Sequence, residues 1–314
     1  MRNYIRILLL FIGLCSFVMN VTYAKNPDKD KLIIGCIKFS DHIKSKDQNQ
    51  LKLALDACKK GYKTHPENIH LIRYVAIANY KLNNFKEAFK FYKLASDKGD
   101  NISKFLIADM YLSGEGINKN KTEAIRIYNL LADKGQALAQ TVLGSIYFNG
   151  VHLKRDLSKA TLLYKQAADQ GSELGKAGLA ELYHKHKNGS TKYMKEAIKL
   201  YNQAADKGLK IAQSTLGDIY KNGDGVKKDI KKAFKFFKLA ADQGNAYSQG
   251  YLGYFYQNGN GVKKDIKKAL QFYTLAADQG DAYSQVQLGL IYDLGEEVKR
   301  DIKKALQLYT LAAN

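Results

Sequence analysis

Proline is nearly missing from this 314-residue chain: Pro27 and Pro66 are the only two. Interior proline destabilises a helix by about 3 kcal/mol, so its scarcity suits a chain of largely uninterrupted helices. Tryptophan is absent, and arginine occurs only six times although the formal charge is +20, so lysine carries almost all of it. Arginine supplies the bidentate phosphate and base contacts used by nucleic-acid readers, and its shortage argues against a nucleic-acid partner. The lysine excess has two readings. One is a compositional bias shared with Ile, Asn and Tyr; the other is a basic surface that meets acidic polymers or anionic lipid heads. Charged residues at 25% and hydrophobic residues at 46% are ordinary for a folded soluble protein and exclude wholesale disorder.

Long apolar runs are also missing, apart from one at the amino terminus. Residues 1–24 hold Arg2 and Arg6, an apolar stretch from Ile7 to Met19, and small residues at Thr22 and Ala24. This arrangement predicts a secretory signal peptide cut after Ala24, with an uncleaved anchor as the alternative. The run falls short of the roughly 20 residues a spanning helix wants. Leu14 stands before Cys15 where a lipidation signal needs a small residue, so lipidation is rejected. The expected location is therefore outside the cytoplasm, periplasmic or secreted. Cleavage would leave Cys36 and Cys58. They form either a disulfide, worth roughly 3 kcal/mol for a loop of about 20 residues, or two buried thiols.

What the chain has in abundance is tyrosine, and it is periodic. Asp-(Lys/Gln)-Gly recurs with its glycine at 99, 135, 171, 208, 244 and 280, in steps of 36, 36, 37, 36 and 36. Tyr111, Tyr147, Tyr183, Tyr220, Tyr256 and Tyr292 keep that phase, as do Ala124, Ala160, Ala197, Ala233, Ala269 and Ala305. A second aromatic column runs through Tyr128, Tyr164, Tyr201, Phe237, Tyr273 and Tyr309. Each period reads as two helices. In the fifth, helix A spans about Ala246–Gln257, with Leu252, Phe255 and Tyr256 on one face. A glycine-rich turn and an Asp265 cap follow. Helix B then carries Ala269, Phe272, Tyr273 and Ala276 at i, i+3, i+4 and i+7. Gly253 inside helix A predicts close approach of a neighbouring helix; copies one and three have Ala108 and Ala180 there. A lone hairpin cannot bury its apolar stripe, so copies must stack. The prediction is an all-α, right-handed helical-hairpin solenoid.

The string Ala-x-Ser-Gln-x-x-Leu-Gly-x-x-Tyr, followed by Asn-Gly-x-Gly-Val-Lys-Lys-Asp and by Ala-x-x-x-Tyr-x-x-Ala-Ala-Asp-Gln-Gly, is clearest at Ala246–Gly280. It resembles the Sel-one-like repeat, a tetratricopeptide variant with a longer turn between its helices. The expected organisation is a signal peptide at 1–24, a helical segment at 25–65 and a tetratricopeptide-like hairpin at 66–99. Six Sel-one-like repeats follow at 100–135, 136–171, 172–208, 209–244, 245–280 and 281–314. The resemblance implies a scaffold or regulator in protein complexes, often exported, with roles in envelope maintenance, periplasmic signalling control or host interaction. The alternative is a peptidoglycan- or β-lactam-related envelope enzyme, or an accessory to one. The β-lactam branch carries a cysteine pair in each repeat, and this chain has none between 59 and 314.

No catalytic set, cofactor or metal site is nominated. His184 and His186 lack further ligands. The Gly-x-Gly turns lack the setting of a phosphate loop, and Asp229, Asp265 and Asp301 read as helix caps. The function expected is protein binding through the concave wall of A helices. Carried over from the resemblance, the wall positions are Glu181, His184, Asp218, Tyr247, Tyr254, Tyr283 and Leu290; Tyr247 and Tyr283 could instead pack between repeats. A basic ridge is expected from Lys227, Lys228, Lys231, Lys232, Lys263, Lys264, Lys267 and Lys268, continued by Lys299, Arg300, Lys303 and Lys304. It reads as a solvated edge or as a surface for an acidic envelope polymer or protein. Ala305, Leu308, Tyr309 and Ala312 keep the internal pattern to the last helix, which predicts an end that meets a partner or another copy of the chain.

Overall fold

The computed structural model describes Cys36 and residues 47–186, 190–295 and 298–313. The expected signal peptide and most of the segment before residue 47 lie outside the described residues. The chain divides into two compact units, one ending at Ala139 and the other starting at Gln140. Among the described residues there are fifteen α-helices and no strand. The first unit contains α1 (Gln48–Thr64), α2 (Ile69–Lys81), α3 (Phe85–Asp97), α4 (Asn101–Ser113) and α5 (Lys121–Asp133). Then come α6 (Ala137–Asn149), α7 (Leu157–Asp169), α8 (Glu173–His186), α9 (Thr191–Asp206) and α10 (Lys210–Asn222). The last five are α11 (Ile230–Asp242), α12 (Ala246–Asn258), α13 (Ile266–Ala277), α14 (Ala282–Leu294) and α15 (Ile302–Ala313). Within each unit, helices adjacent in sequence pack against each other, as a helical-hairpin solenoid requires.

In the first unit, Cys36 and Cys58 are joined as a disulfide with their Cα atoms 4.8 Å apart. They sit in a core with Leu55, Leu71, Val75 and Ala78. The hairpin α2–α3 turns through Leu82–Asn84, where Asn83 takes a φ of 62°. The hairpin α4–α5 has the longer turn. Gly114 ends α4 in the left-handed region, and Asn120 closes the loop by donating its backbone N–H to the Tyr111 carbonyl at 2.9 Å. A Cβ on Gly116 would lie 2.4 Å from the Phe85 backbone, so this turn rests directly on the start of the preceding B helix.

The second unit repeats that design. Asp156, Asp229, Asp265 and Asp301 each donate a backbone N–H to the carbonyl of the column tyrosine in the same copy, at 2.8–3.0 Å. Their side chains cap the helix that follows, at Lys159, Lys232, Lys268 and Lys304. The column residues Tyr164, Tyr201, Phe237 and Tyr273 are buried. The close approach expected at Gly253 is made by the Tyr273 ring of the same hairpin, 2.6 Å from where a Cβ would stand. Gly144, Gly217 and Gly289 face Tyr164, Phe237 and Tyr309 in the same way.

Glutamines fasten one copy to the next. The Gln213 amide donates to the Ala205 carbonyl of the preceding helix at 3.1 Å and accepts from Gln243 at 2.7 Å. Gln249 does the same toward Ala241 and Gln279. Copy three carries Lys176 and Lys207 in the matching positions, so it lacks this ladder.

Candidate functional site

Four A helices of the second unit carry the expected wall positions. Tyr247 and Tyr283 stand in the first turn of α12 and α14, one period apart, each 44% exposed. Leu290 is 40% exposed, and Glu181, His184, Asp218 and Tyr254 are half-buried. The structure brings Asp218, Tyr247 and Tyr283 into one aromatic cluster, while Tyr254 packs against the core of Ala269, Tyr273, Leu288 and Ile291. Glu181 and His184 belong to α8 and have their own neighbours: Glu181 accepts from Lys185 at 2.7 Å, and the His184 ring lies 6.5 Å edge-on from Tyr201.

The centre of the cluster is Tyr251, which belongs to neither aromatic column and was not among the expected wall positions. Its ring stacks on Phe237 at 4.8 Å with 10° between planes, and on Tyr283 at 6.4 Å with 20°. Tyr247 meets it edge-on at 4.8 Å. Lys221 holds its ammonium 3.9 Å from the Tyr251 ring centroid and also donates to the Asp218 carboxylate at 2.8 Å. The Tyr247 hydroxyl donates to that carboxylate, with both oxygens at 2.9 Å. Asp218 is thus engaged by two internal donors. Tyr247 is half packed as well, because its hydroxyl fastens copy five to copy four. A signal for Tyr251 existed: Tyr247, Tyr251 and Tyr254 sit at i, i+4 and i+7 on a single helix.

Electrostatics follow from this arrangement. Partial burial raises the Tyr247 hydroxyl far above the ordinary phenol range, and the bonds to Tyr251 and Asp218 push the same way. Burial alone would lower the Lys221 ammonium, but Asp218 and Tyr251 more than offset it and raise its pKa. Tyr247 and Lys221 therefore keep their protons near neutral pH, so the cluster offers rings and fixed dipoles rather than a group poised for proton transfer. Among the described residues no three His, Cys, Asp or Glu side chains gather as a metal site.

The basic ridge has a different character. Its lysines are exposed, yet the last of each set lies against the tyrosine column. Lys232 sits 4.1 Å from the Tyr220 ring centroid, Lys268 5.2 Å from Tyr256 and Lys304 4.1 Å from Tyr292.

The Sel1 repeat family model matches residues 80–100, 102–136, 137–172, 177–209, 211–245, 246–281 and 282–314. This chain belongs to the Sel1 repeat family. The match at 80–100 extends the family pattern into the hairpin that looked tetratricopeptide-like by sequence. A Sel1 repeat protein from Oxalobacter formigenes is 30% identical, with a TM-score of 0.69, over 78% of this chain and 99% of that one. The protein c5321, a protective antigen of uropathogenic Escherichia coli with an SLR fold, is 25% identical with a TM-score of 0.55. That match covers 88% of this chain and 64% of c5321. No curated protein matches the chain. Sel1 repeat proteins typically mediate protein–protein interaction, and the scaffold is generally non-catalytic.

Proposed function

We propose that this Sel1 repeat protein is an exported scaffold that grips a protein partner through the A helices of copies four to six. The observation that carries the reading is the cluster of Tyr247, Tyr251 and Tyr283, whose two outer rings remain 44% exposed while Asp218 and Lys221 hold the inner part in place. Rigid aromatic side chains lose little freedom on binding and anchor interfaces more often than other residues. The cluster is already ordered by its neighbours, which lowers the entropic penalty of association. Val286, Leu290 and Leu294 extend the exposed apolar surface along α14. Export is supported by the pattern of residues 1–24 and by the disulfide, a bond that persists in oxidising compartments. A role in the envelope or toward a host fits that location. The similarity to c5321, a protective antigen, favours exposure of the protein to a host.

Affinity capture from the native organism, using wild type and a Tyr247→Ala/Tyr283→Ala double variant, tests the reading. A specific partner held by wild type is expected to fall at least tenfold with the double variant, while Leu239→Ala on a B helix leaves it unchanged. Equal recovery by all three proteins would remove the A-helix face from the interaction.

A further inference from the structure

We propose that copies four to six carry a second binding surface, on their hairpin turns and the starts of their B helices, that takes a linear phosphate polyanion. The sequence Lys-Lys-Asp-Ile-Lys-Lys occupies 227–232 and 263–268, and Lys-Arg-Asp-Ile-Lys-Lys occupies 299–304. Each copy therefore sets four cations against one carboxylate in six residues; that carboxylate caps the helix that follows, Asp265 also pairs with Lys268 at 3.5 Å, and Arg300 pairs with Asp293 at 3.7 Å. The cations are exposed, and the final lysine of each set rests on a tyrosine ring. Lys304 also donates to the Tyr292 hydroxyl at 2.8 Å. A lysine already held on a ring has less rotamer freedom to lose when an anion arrives, which separates this edge from a set of loose solvated lysines.

The other copies lack the same combination. Copies one and three put Glu123 and Glu196 where the ring-held lysine stands, and Glu123 is tied to Arg126. Copy two has Lys159 at 5.1 Å from the Tyr147 ring, but its stretch Lys154-Arg155-Asp156-Leu157-Ser158-Lys159 holds three cations rather than four. The A helices of copies four to six are neutral in sum, with Lys210, Lys221, Asp218 and Asp293. Positive charge is thus concentrated on one edge of three consecutive copies, whereas the one lysine at the aromatic cluster, Lys221, is paired with Asp218.

The chemistry of the edge selects the ligand class. Lysine is a compact, strongly hydrated point charge, suited to phosphate and lacking the planar fork that reads bases or carboxylate pairs. A cationic cluster repeated once per copy matches a chain of repeated anions, which displaces counterions as it docks. Membrane insertion needs apolar side chains beside the cations. Here the isoleucines within the first two sets, Ile230 and Ile266, are half-buried, and the exposed Leu239 and Leu275 stand about two helical turns beyond the last lysine; the third set alone has exposed apolar neighbours, Ile302 and Leu306.

Binding of the full chain to long-chain inorganic polyphosphate tests this, with heparin and phosphatidylglycerol vesicles in parallel. Polyphosphate is expected to bind most tightly, with an affinity that falls steeply as salt rises. Replacing Lys231, Lys232, Lys267, Lys268, Lys303 and Lys304 with glutamine should weaken it at least tenfold with helicity retained. A control that replaces Lys86, Lys90, Lys93, Lys192, Lys195 and Lys199 removes the same charge elsewhere and should change affinity less than threefold. Equal losses in the two variants would reduce the effect to net charge and overturn the proposal. Tighter binding to heparin or to the vesicles would overturn it as well.

Discussion

Asp109 and Asp218 are the same residue type in the same register, three repeat steps apart, and they live in opposite surroundings. Asp109, on α4, is 6% exposed. It faces Tyr128 from α5, Tyr92 from α3 and Glu115 from the turn, and Glu115 in turn accepts from Tyr80. Burial, reinforced by the Glu115 carboxylate and partly relieved by the Tyr128 hydrogen bond, pushes its pKa up to about 7. Asp218, on α10, keeps 27% of its side chain exposed and meets Lys221 and Tyr247. A repeat fixes where a side chain starts; its neighbours decide whether it becomes a buried acid or part of a surface.

Tests of this contrast begin with pH. A carboxyl whose pKa is raised on folding holds a proton that the unfolded chain has already released. Asp109 should therefore make the first unit less stable as pH climbs from about 4 to about 7, then contribute no further change. A tenfold difference in proton affinity between the folded and unfolded chain is worth about 1.4 kcal/mol, so the fall amounts to a few kcal/mol. Urea denaturation across that range, followed by hydrogen exchange of α4, should show it in wild type, and Asp109→Asn should flatten the curve and stabilise the protein at pH 8. A wild-type curve already flat between pH 4 and 8 would place Asp109 in contact with solvent.

Removing the tyrosine partner sharpens the contrast at lower energy. Tyr128→Phe leaves a buried carboxyl without its donor and should destabilise the first unit by about 1–3 kcal/mol at pH 8. Tyr247→Phe removes the corresponding donor from Asp218, where Lys221 and solvent remain, and should shift stability by less than about 1 kcal/mol. The smallest effect belongs to Asp218→Asn. A partly exposed ion pair contributes on the order of 0.5 kcal/mol, so this variant should unfold almost like wild type with no new pH dependence over pH 5–8.

Much of the architecture was legible in the residues. The 36-residue phase located both helices of each copy, the capping role of Asp229, Asp265 and Asp301, and the tight approach at Gly253, because each follows from local spacing or backbone freedom. The site was legible only in part. Tyr247 and Tyr283 stand out because they break the periodic columns, whereas Tyr251 was hidden inside a tyrosine-rich helix whose contacts come from α10, α11 and α14. Asp109 was hidden for a related reason: its register mates are Ser145, Glu181, Asp218, Tyr254 and Leu290, a set that reads as surface. Nor did composition reveal that Lys232, Lys268 and Lys304 rest on tyrosine rings, since that depends on how a turn folds back on its own hairpin. For Cys36 and Cys58 the spacing left both a bond and free thiols open, and the structure pairs them.

Docking of a protein partner on the A-helix face of copies four to six is most directly addressed by site-specific photo-crosslinking in the native organism. The reactive group is placed at position 247 on α12 in one strain and at position 239 on α11 in another. A discrete crosslinked protein is expected from position 247 and none from position 239. The same adduct from 239, with nothing from 247, would contradict docking on that face.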